Sequence, residues 1–279
     1  MTTRGIRRTV AAAAVLAGVT TLAAATGAGL GSEEEQRRRG RRREPPVSLD
    51  APNTPYDGKF TFVRLQYGMG ESLGGFGGGG FRGGGLPPWA HDYPRAERNF
   101  MRILDEITGL TPFLGPTGGN ILRLGDPELF KYPLAYMSEP GFWTMSEEEV
   151  LTLRHYVEKG GFLIFDDFRG GHWYNFEEQM LRLLPEGRLV ELDVSSPIFH
   201  AFFEIETLDF VQFYGRGGRP TFHGIYEDND PTKRLLLIAN YNNDIGEYWE
   251  YSDTGFTPIE LSNEAYKLGV NYIIYSMTH

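Results

Sequence analysis

Residues 134–168, LAYMSEPGFWTMSEEEVLTLRHYVEKGGFLIFDDF, constrain the fold more than any other part of the chain. The apolar run 134–137 has the length of a buried strand. Ser146 with Glu149 three residues on forms a capping box, and Val150, Leu153, Tyr156 and Val157 recur behind it at helical spacing. Gly160 and Gly161 stop that helix, and FLIF at 162–165 enters a second apolar strand without a break. A strand, a helix and a strand joined this tightly run parallel through a right-handed crossover, and a parallel sheet must be covered on both faces.

The same alternation extends along the chain. FTFVRLQYG at 60–68 reads as a first strand ending near Arg64 or Leu65. Tyr93, Ala96, Phe100, Ile103, Leu104, Ile107 and Leu110 give a helix with one apolar face. A short strand at 121–124, a helix through Trp173, Phe176, Met180 and Leu183, and a strand at 189–192 follow. Ser196-Pro197 starts a short helix with serine as its cap. Residues 221–226 and 235–239 read as strands about a turn at Asp228 to Pro231, and a last helix starting near Ser262 buries Ala265, Leu268, Tyr272 and Ile273. The expected fold class is α/β, a three-layer sandwich with a mainly parallel sheet and helices on both faces.

The first thirty residues read as a targeting segment. Arg4, Arg7 and Arg8 precede an Ala/Val/Leu run at 10–25 that ends in small residues, the pattern of an export signal. The arginines at 37–39 and 41–43 favour the rival reading, an uncleaved anchor over about residues 9–30. Residues 31–58 combine charge with four prolines and read as a solvated linker, so the folded part is expected over 59–279. Within it, residues 70–85 hold ten glycines and match no phosphate-cradling spacing; they read as a floppy insertion, placed where a ligand lid could also sit.

Composition sets exclusions. At 279 residues and 41% hydrophobic the chain supports one sizeable core or at most two small ones. Nine basic and three acidic residues precede residue 44, which leaves the remainder at a formal −16 and argues against nucleic-acid binding by the folded part. There is no cysteine, which removes disulfides, thiolate metal sites and thiol nucleophiles. No histidine or carboxylate spacing of a known metal motif occurs and no G-x-S-x-G elbow, so the sequence assigns no metal, no cofactor and no serine nucleophile.

Residues 134–168 resemble the class I glutamine amidotransferase-like superfamily, where a strand, a capped helix, a glycine pair and a strand with an acidic end follow in this order. More narrowly, WAHDYPRAERNF at 89–100, GGFLIFDDFRGG at 160–171, SPIFHAFF at 196–203 and NDIGEYWE at 243–250 resemble the bacterial domain of unknown function 4159. The resemblance implies a flavodoxin-like sandwich over residues 60–279 and no known reaction. It also implies cell-envelope company, as relatives accompany von Willebrand-type and MoxR ATPase systems. Active amidotransferases carry a cysteine on the turn after the strand matching FLIF; this chain has Asp166-Asp167-Phe168 there, so thioester chemistry is unavailable.

In such a sheet, ligands bind beyond the carboxyl ends of the strands. Arg64 and Tyr67 leave the first strand, Ser138 and Glu139 the third, Asp166 and Asp167 the fourth, and Asn240 and Asp244 the late one, giving one candidate cleft. Asp166 and Asp167 should point oppositely along a strand, and one could cap the next turn. Arg64 needs a buried partner, with Asp166, Asp167 or an anionic ligand as candidates. Asp92 reads as an N-cap or as the carboxylate orienting His91, and His200 as a backbone-bonded histidine or a ligand. Trp89, Trp143, Trp173 and Trp249 could stack a carbohydrate or form an interface, core packing being the alternative and preferred for Trp173.

Two functions emerge. One is an exported, periplasmic or extracellular, non-catalytic binding module for a small polar ligand or an envelope protein, touching membrane only through an uncleaved leader. The other is a cysteine-independent hydrolase using Asp166 or Asp167 with His91 or His200, with or without a divalent ion. A plain scaffold would instead show a filled, apolar cleft.

Overall fold

The computed structural model describes residues 48–69, 86–209 and 218–279. The expected leader, the arginine run and the glycine-rich stretch lie outside these residues. In chain order the strands are β1 (Phe62–Gln66), β2 (Gly68–Met69), β3 (Gly119–Arg123), β4 (Leu134–Ser138), β5 (Trp143–Thr144), β6 (Phe162–Phe168), β7 (Val190–Glu191), β8 (Thr221–Tyr226) and β9 (Leu235–Tyr241). The helices are α1 (Arg95–Ile107), α2 (Glu147–Glu158), α3 (His172–Leu183), α4 (Ile245–Glu250) and α5 (Ile259–Thr278).

Seven strands form one sheet in the order β3-β1-β4-β6-β9-β8-β7, parallel from β3 to β9 and antiparallel across β8 and β7. Counted in chain order, the parallel part runs 2-1-3-4-5, the flavodoxin-like order, whose switch point falls between β1 and β4. Strands β2 and β5 pair in a separate small ribbon.

Side-chain alternation divides the core into two layers. Phe62, Leu134, Tyr136, Phe162, Ile164 and Ile238 face one way and pack with Phe100 and Leu104 of α1, Trp249 of α4 and Leu268 of α5. Val63, Leu65, Ala135, Met137, Leu163 and Phe165 face the other, under Leu153 and Val157 of α2 and Phe176 and Met180 of α3. The chain is therefore a three-layer α/β sandwich. Phe100 and Trp249 stack with ring centroids 4.3 Å apart, which ties α1 to α4 directly above the sheet.

The Ser146–Glu149 capping box forms as expected. Ser196 precedes its short helix without a side-chain cap bond. Helix α4 escaped the periodicity reading: at six residues it spans fewer than two turns, too short for a repeating apolar stripe. The folded body also reaches back into the stretch assigned to the linker, where Asn53 and Thr54 exchange hydrogen bonds with Ile121 and Asn120 of β3.

Candidate functional site

The alternation that builds the upper core layer carries a polar row at its carboxyl end. Arg64, Tyr136, Asp166 and Asn240 follow Phe62, Leu134, Ile164 and Ile238 on the same face, and Arg64, Asp166 and Asn240 are buried. Asp166 accepts hydrogen bonds from the Tyr136 hydroxyl at 2.9 Å and Asn240 Nδ2 at 3.1 Å. It also accepts from the backbone N–H groups of Ile245 at 3.3 Å and Gly246 at 2.9 Å. Asp166 thus anchors the start of α4, a cap supplied from across the sheet rather than to its own following turn. Burial, aided by the nearby Asp244 carboxyl, pushes its pKa up to about 7 against the pull of those donors. Burial also holds the Tyr136 hydroxyl well above its ordinary value, so it stays a donor.

Arg64 corrects an expectation. Its guanidinium pairs with Glu97 in the first turn of α1 and donates to the Trp89 carbonyl at 3.0 Å. Asp166 and Asp167 are not its partners, because α1 crosses β1 and brings a carboxylate directly over it. The guanidinium also lies 5.0 Å from the centre of the Tyr136 ring, whose hydroxyl serves Asp166, so the two polar groups share one neighbour.

Asp167 would point to the opposite face if β6 stayed regular. The register with β9 instead shifts between Phe165 and Phe168, and Asp167 adopts φ 59°, a left-handed conformation for a residue with a Cβ. The bulge turns its carboxylate to His91, with Oδ2 at 2.6 Å from Nδ1. Glu139, at φ 48°, brings Oε1 to 3.7 Å from the same nitrogen, and Asp92, at φ 64°, brings Oδ1 to 3.5 Å. Three carboxylate residues in this costly conformation converge on one imidazole, the clustering of local strain expected where geometry serves function. His91 and Glu139 are 27% and 23% exposed, while Asp92 and Asp167 are 3% exposed, so the first two form the mouth.

Below the mouth stand Asp244 and Glu247. Asp244 Oδ1 accepts the Glu247 N–H at 2.9 Å and opens α4 as its N-cap. His91, Asp92, Asp244 and Glu247 offer ligand atoms that all lie within 4.8 Å of one another, as do His91, Glu139 and Asp167. Burial raises the Asp92 and Asp167 pKa values well above the ordinary carboxylate value, with Asp244 adding repulsion in both cases. Glu139 is pushed up to about 7 for the same reasons, and the neighbouring carboxylates hold the His91 imidazolium well above its usual range despite its burial. This cluster takes up protons on folding, or a cation in their place.

Other expected ligand groups are occupied in holding the frame. The Tyr67 hydroxyl donates to the Ser138 and Glu139 carbonyls at 3.0 and 2.7 Å, fixing the turn that presents Glu139. Asn240 is fully buried between Asp166 and the Tyr272 hydroxyl, which donates to its Oδ1 at 3.0 Å. Ser138 is buried at the base, its Oγ without a hydrogen-bond partner among the described residues. His200 does not join the cluster: its ring nitrogens meet Glu204 Oε2 and the Val194 carbonyl, each at 2.6 Å, because its short helix packs against α5. Trp89, Trp143 and Trp249 are buried in the core, not presented for stacking, and Trp173 packs on Phe168 and Tyr241. Asp92 is no side-chain cap; its backbone carbonyl accepts from Ala96 while its carboxyl enters the cluster.

Two surface grooves, of about 420 and 380 Å³, lie at the opposite end of the strands, around Lys131 with Gly161 and around Arg154 with Arg234. Asp228 and Asn229 in the second groove are also at positive φ, but neither groove gathers buried carboxylates about a histidine, so the carboxyl-end cluster is the better candidate.

A model of the family described as Domain of unknown function (DUF4159) matches residues 61–277. The chain belongs to this family. A search of curated proteins finds no match. The DUF4159 match spans β1 to the end of α5 and so contains every residue of the cluster.

Sequence reasoning missed Glu97, Gly246 and Glu247 in this DUF4159 domain. The i, i+3 pair Asp244 and Glu247 in NDIGEYWE was the one available signal, and it reads equally as a capping box. Gly246 is required by close approach: a Cβ there would stand 2.8 Å from both Asp92 Oδ2 and the Tyr136 hydroxyl. Gly246→Ala is expected to cost about 1–3 kcal/mol in urea unfolding, and a neutral effect would show that α4 can retreat from the site.

Proposed function

We propose that this DUF4159 chain is an exported binding module on an amidotransferase-like scaffold, taking a small polar ligand or a polar segment of an envelope protein at the mouth formed by His91 and Glu139 over the buried Asp167. The observation that carries this reading is the convergence of those three residues at the switch-point end of the sheet, within 4.8 Å of one another. Hydroxyl- or amine-bearing ligands suit such a mouth, since its carboxylates accept hydrogen bonds and favour positive charge. The polar lining argues against a plain scaffold.

The superfamily placement draws support from Asp167. It sits at positive φ in the bulge at the end of β6, close to where amidotransferases place their cysteine, and carries a carboxylate in its stead. Export rests on the Arg-led apolar segment 1–30, with a membrane-anchored form as its variant. No helix among the described residues is long and apolar enough to cross a membrane.

The 2.6 Å contact of His91 with Asp167 favours a second reading, a hydrolase in which Asp167 orients His91 as acid–base group. His200 has no part in it. The two readings separate by experiment on the full chain: a thermal-shift screen of polyols, sugars and polyamines, paired with turnover assays on ester and glycoside substrates. The binding reading expects a shift that His91→Gln and Glu139→Gln each remove, with no turnover. Turnover abolished by His91→Gln would replace it with the hydrolase, and no shift with any probe would overturn it.

A further inference from the structure

Asp92 is 3% exposed, yet no N–H, hydroxyl or guanidinium among the described residues makes a hydrogen bond to either of its oxygens. Its Oδ1 is 3.5 Å from His91 Nδ1, outside hydrogen-bond geometry, and its Oδ2 faces the backbone of Gly246. A buried carboxylate oxygen without a donor is costly, and side chains left so are exceptions that call for an unseen partner. Its nearest charged neighbours Asp244 and Glu247 are also carboxylates, each 1% exposed, and Glu247 meets Asp92 carboxyl to carboxyl, a contact that needs a shared proton or a cation between them.

We propose that His91, Asp92, Asp244 and Glu247 bind one divalent metal ion beneath the mouth. Their ligand atoms lie within 4.8 Å of one another. Donors bound at about 2.1 Å to one ion lie no more than about 4.2 Å apart, so a contraction of about half an ångström closes the set. The set mixes one imidazole nitrogen with carboxylate oxygens, which selects Mn²⁺, Fe²⁺ or Zn²⁺ over Mg²⁺ and Ca²⁺. Gly246 lacks the Cβ that would otherwise press on Asp92 Oδ2, leaving that oxygen free to bind.

The residues come from two segments more than 150 positions apart, 91–92 before α1 and 244–247 at α4. Local motif spacing therefore gives no sign that the two segments meet. The inference deepens the reading of this cleft as a ligand site and rests on it only for location.

The test uses the full chain, treated with chelator, dialysed and titrated with Mn²⁺ by calorimetry and electron paramagnetic resonance. One Mn²⁺ per chain is expected, with a nitrogen coupling from His91 in the pulsed spectrum, and Mg²⁺ in about tenfold excess does not displace it. Asp92→Asn and Glu247→Gln each weaken binding by about 10–100-fold, while Glu204→Gln, an exposed carboxylate outside the cluster, changes nothing. Absence of saturable binding to the wild type, or binding without nitrogen coupling, overturns the inference even if a variant fails to fold. Binding unchanged in both folded variants overturns it as well. A bound cation with no organic ligand found leaves the metal site standing and removes the ligand reading; an organic ligand without a cation does the reverse.

Discussion

Arg64→Met is expected to destabilise the protein by about 3–5 kcal/mol, measured by urea unfolding followed through tryptophan fluorescence. The guanidinium and Glu97 are each 1% exposed and paired across the gap between β1 and α1. Removing the cation leaves the Glu97 carboxylate buried without its charge partner, and the Trp89 carbonyl loses its donor. Apolar burial gained by methionine offsets only part of this, since an uncompensated buried charge outweighs a side chain's transfer energy. The double change Arg64→Met with Glu97→Leu removes the stranded charge and is expected to recover most of the loss. A single-variant cost below about 1 kcal/mol would mean that Glu97 escapes to water. The pair would then not be what fixes α1 over the polar row.

Stability is expected to fall on the order of 3 kcal/mol between pH 5 and pH 8 in the presence of a chelator, read as the unfolding free energy across that range. Asp166 and Glu139 are both pushed up to about 7, chiefly by burial. Asp244 repels both; Asn240, Tyr136 and the Gly246 N–H draw Asp166 down, and His91, Asp167 and Arg169 draw Glu139 down. Each folded-state pKa lies above its unfolded value, so the folded protein binds more protons between about pH 4 and 7. The stabilisation is complete below about pH 4 and is lost as pH rises through 7. His91 is also raised and acts in the same direction. The groups interact, so titration will show apparent values of the cluster rather than of single residues. A flat or rising profile from pH 5 to 8 would mean that donors or water already satisfy these carboxyls.

The layer structure was legible because burial leaves a periodic mark. The capping box at Ser146 and Glu149, the FLIF strand and the apolar stripes of α1, α2 and α5 were all readable before any coordinates. Placing the cleft at the carboxyl ends of the strands followed from the parallel sheet, and it brought Asp166, Asp167, Glu139 and Asp244 into view. His91 comes into view too, with Asp92 beside it legible either as an N-cap or as the carboxylate that orients the imidazole. Helix α4 was missed for its brevity, and with it went Glu247 and the close approach at Gly246.

Pairings were what residue order could not supply. Arg64 was known to need a partner, but whether that was Asp166 or Glu97 depended on the line along which α1 crosses β1. Asp166 and Asp167 were expected to diverge, and only the bulge against β9 turned Asp167 to His91. His200 and the tryptophans carried suitable chemistry on packed surfaces that faced elsewhere. The sequence by itself determined which residues are apolar at strand and helix period, hence the layers and the end of the sheet where polar side chains gather. The tertiary structure decided which carboxylates meet one histidine. The packing of α1 against α4 brings segments 91–92 and 244–247 together, a single inserted residue in β6 turns Asp167 to His91, and neither leaves a periodic trace along the chain.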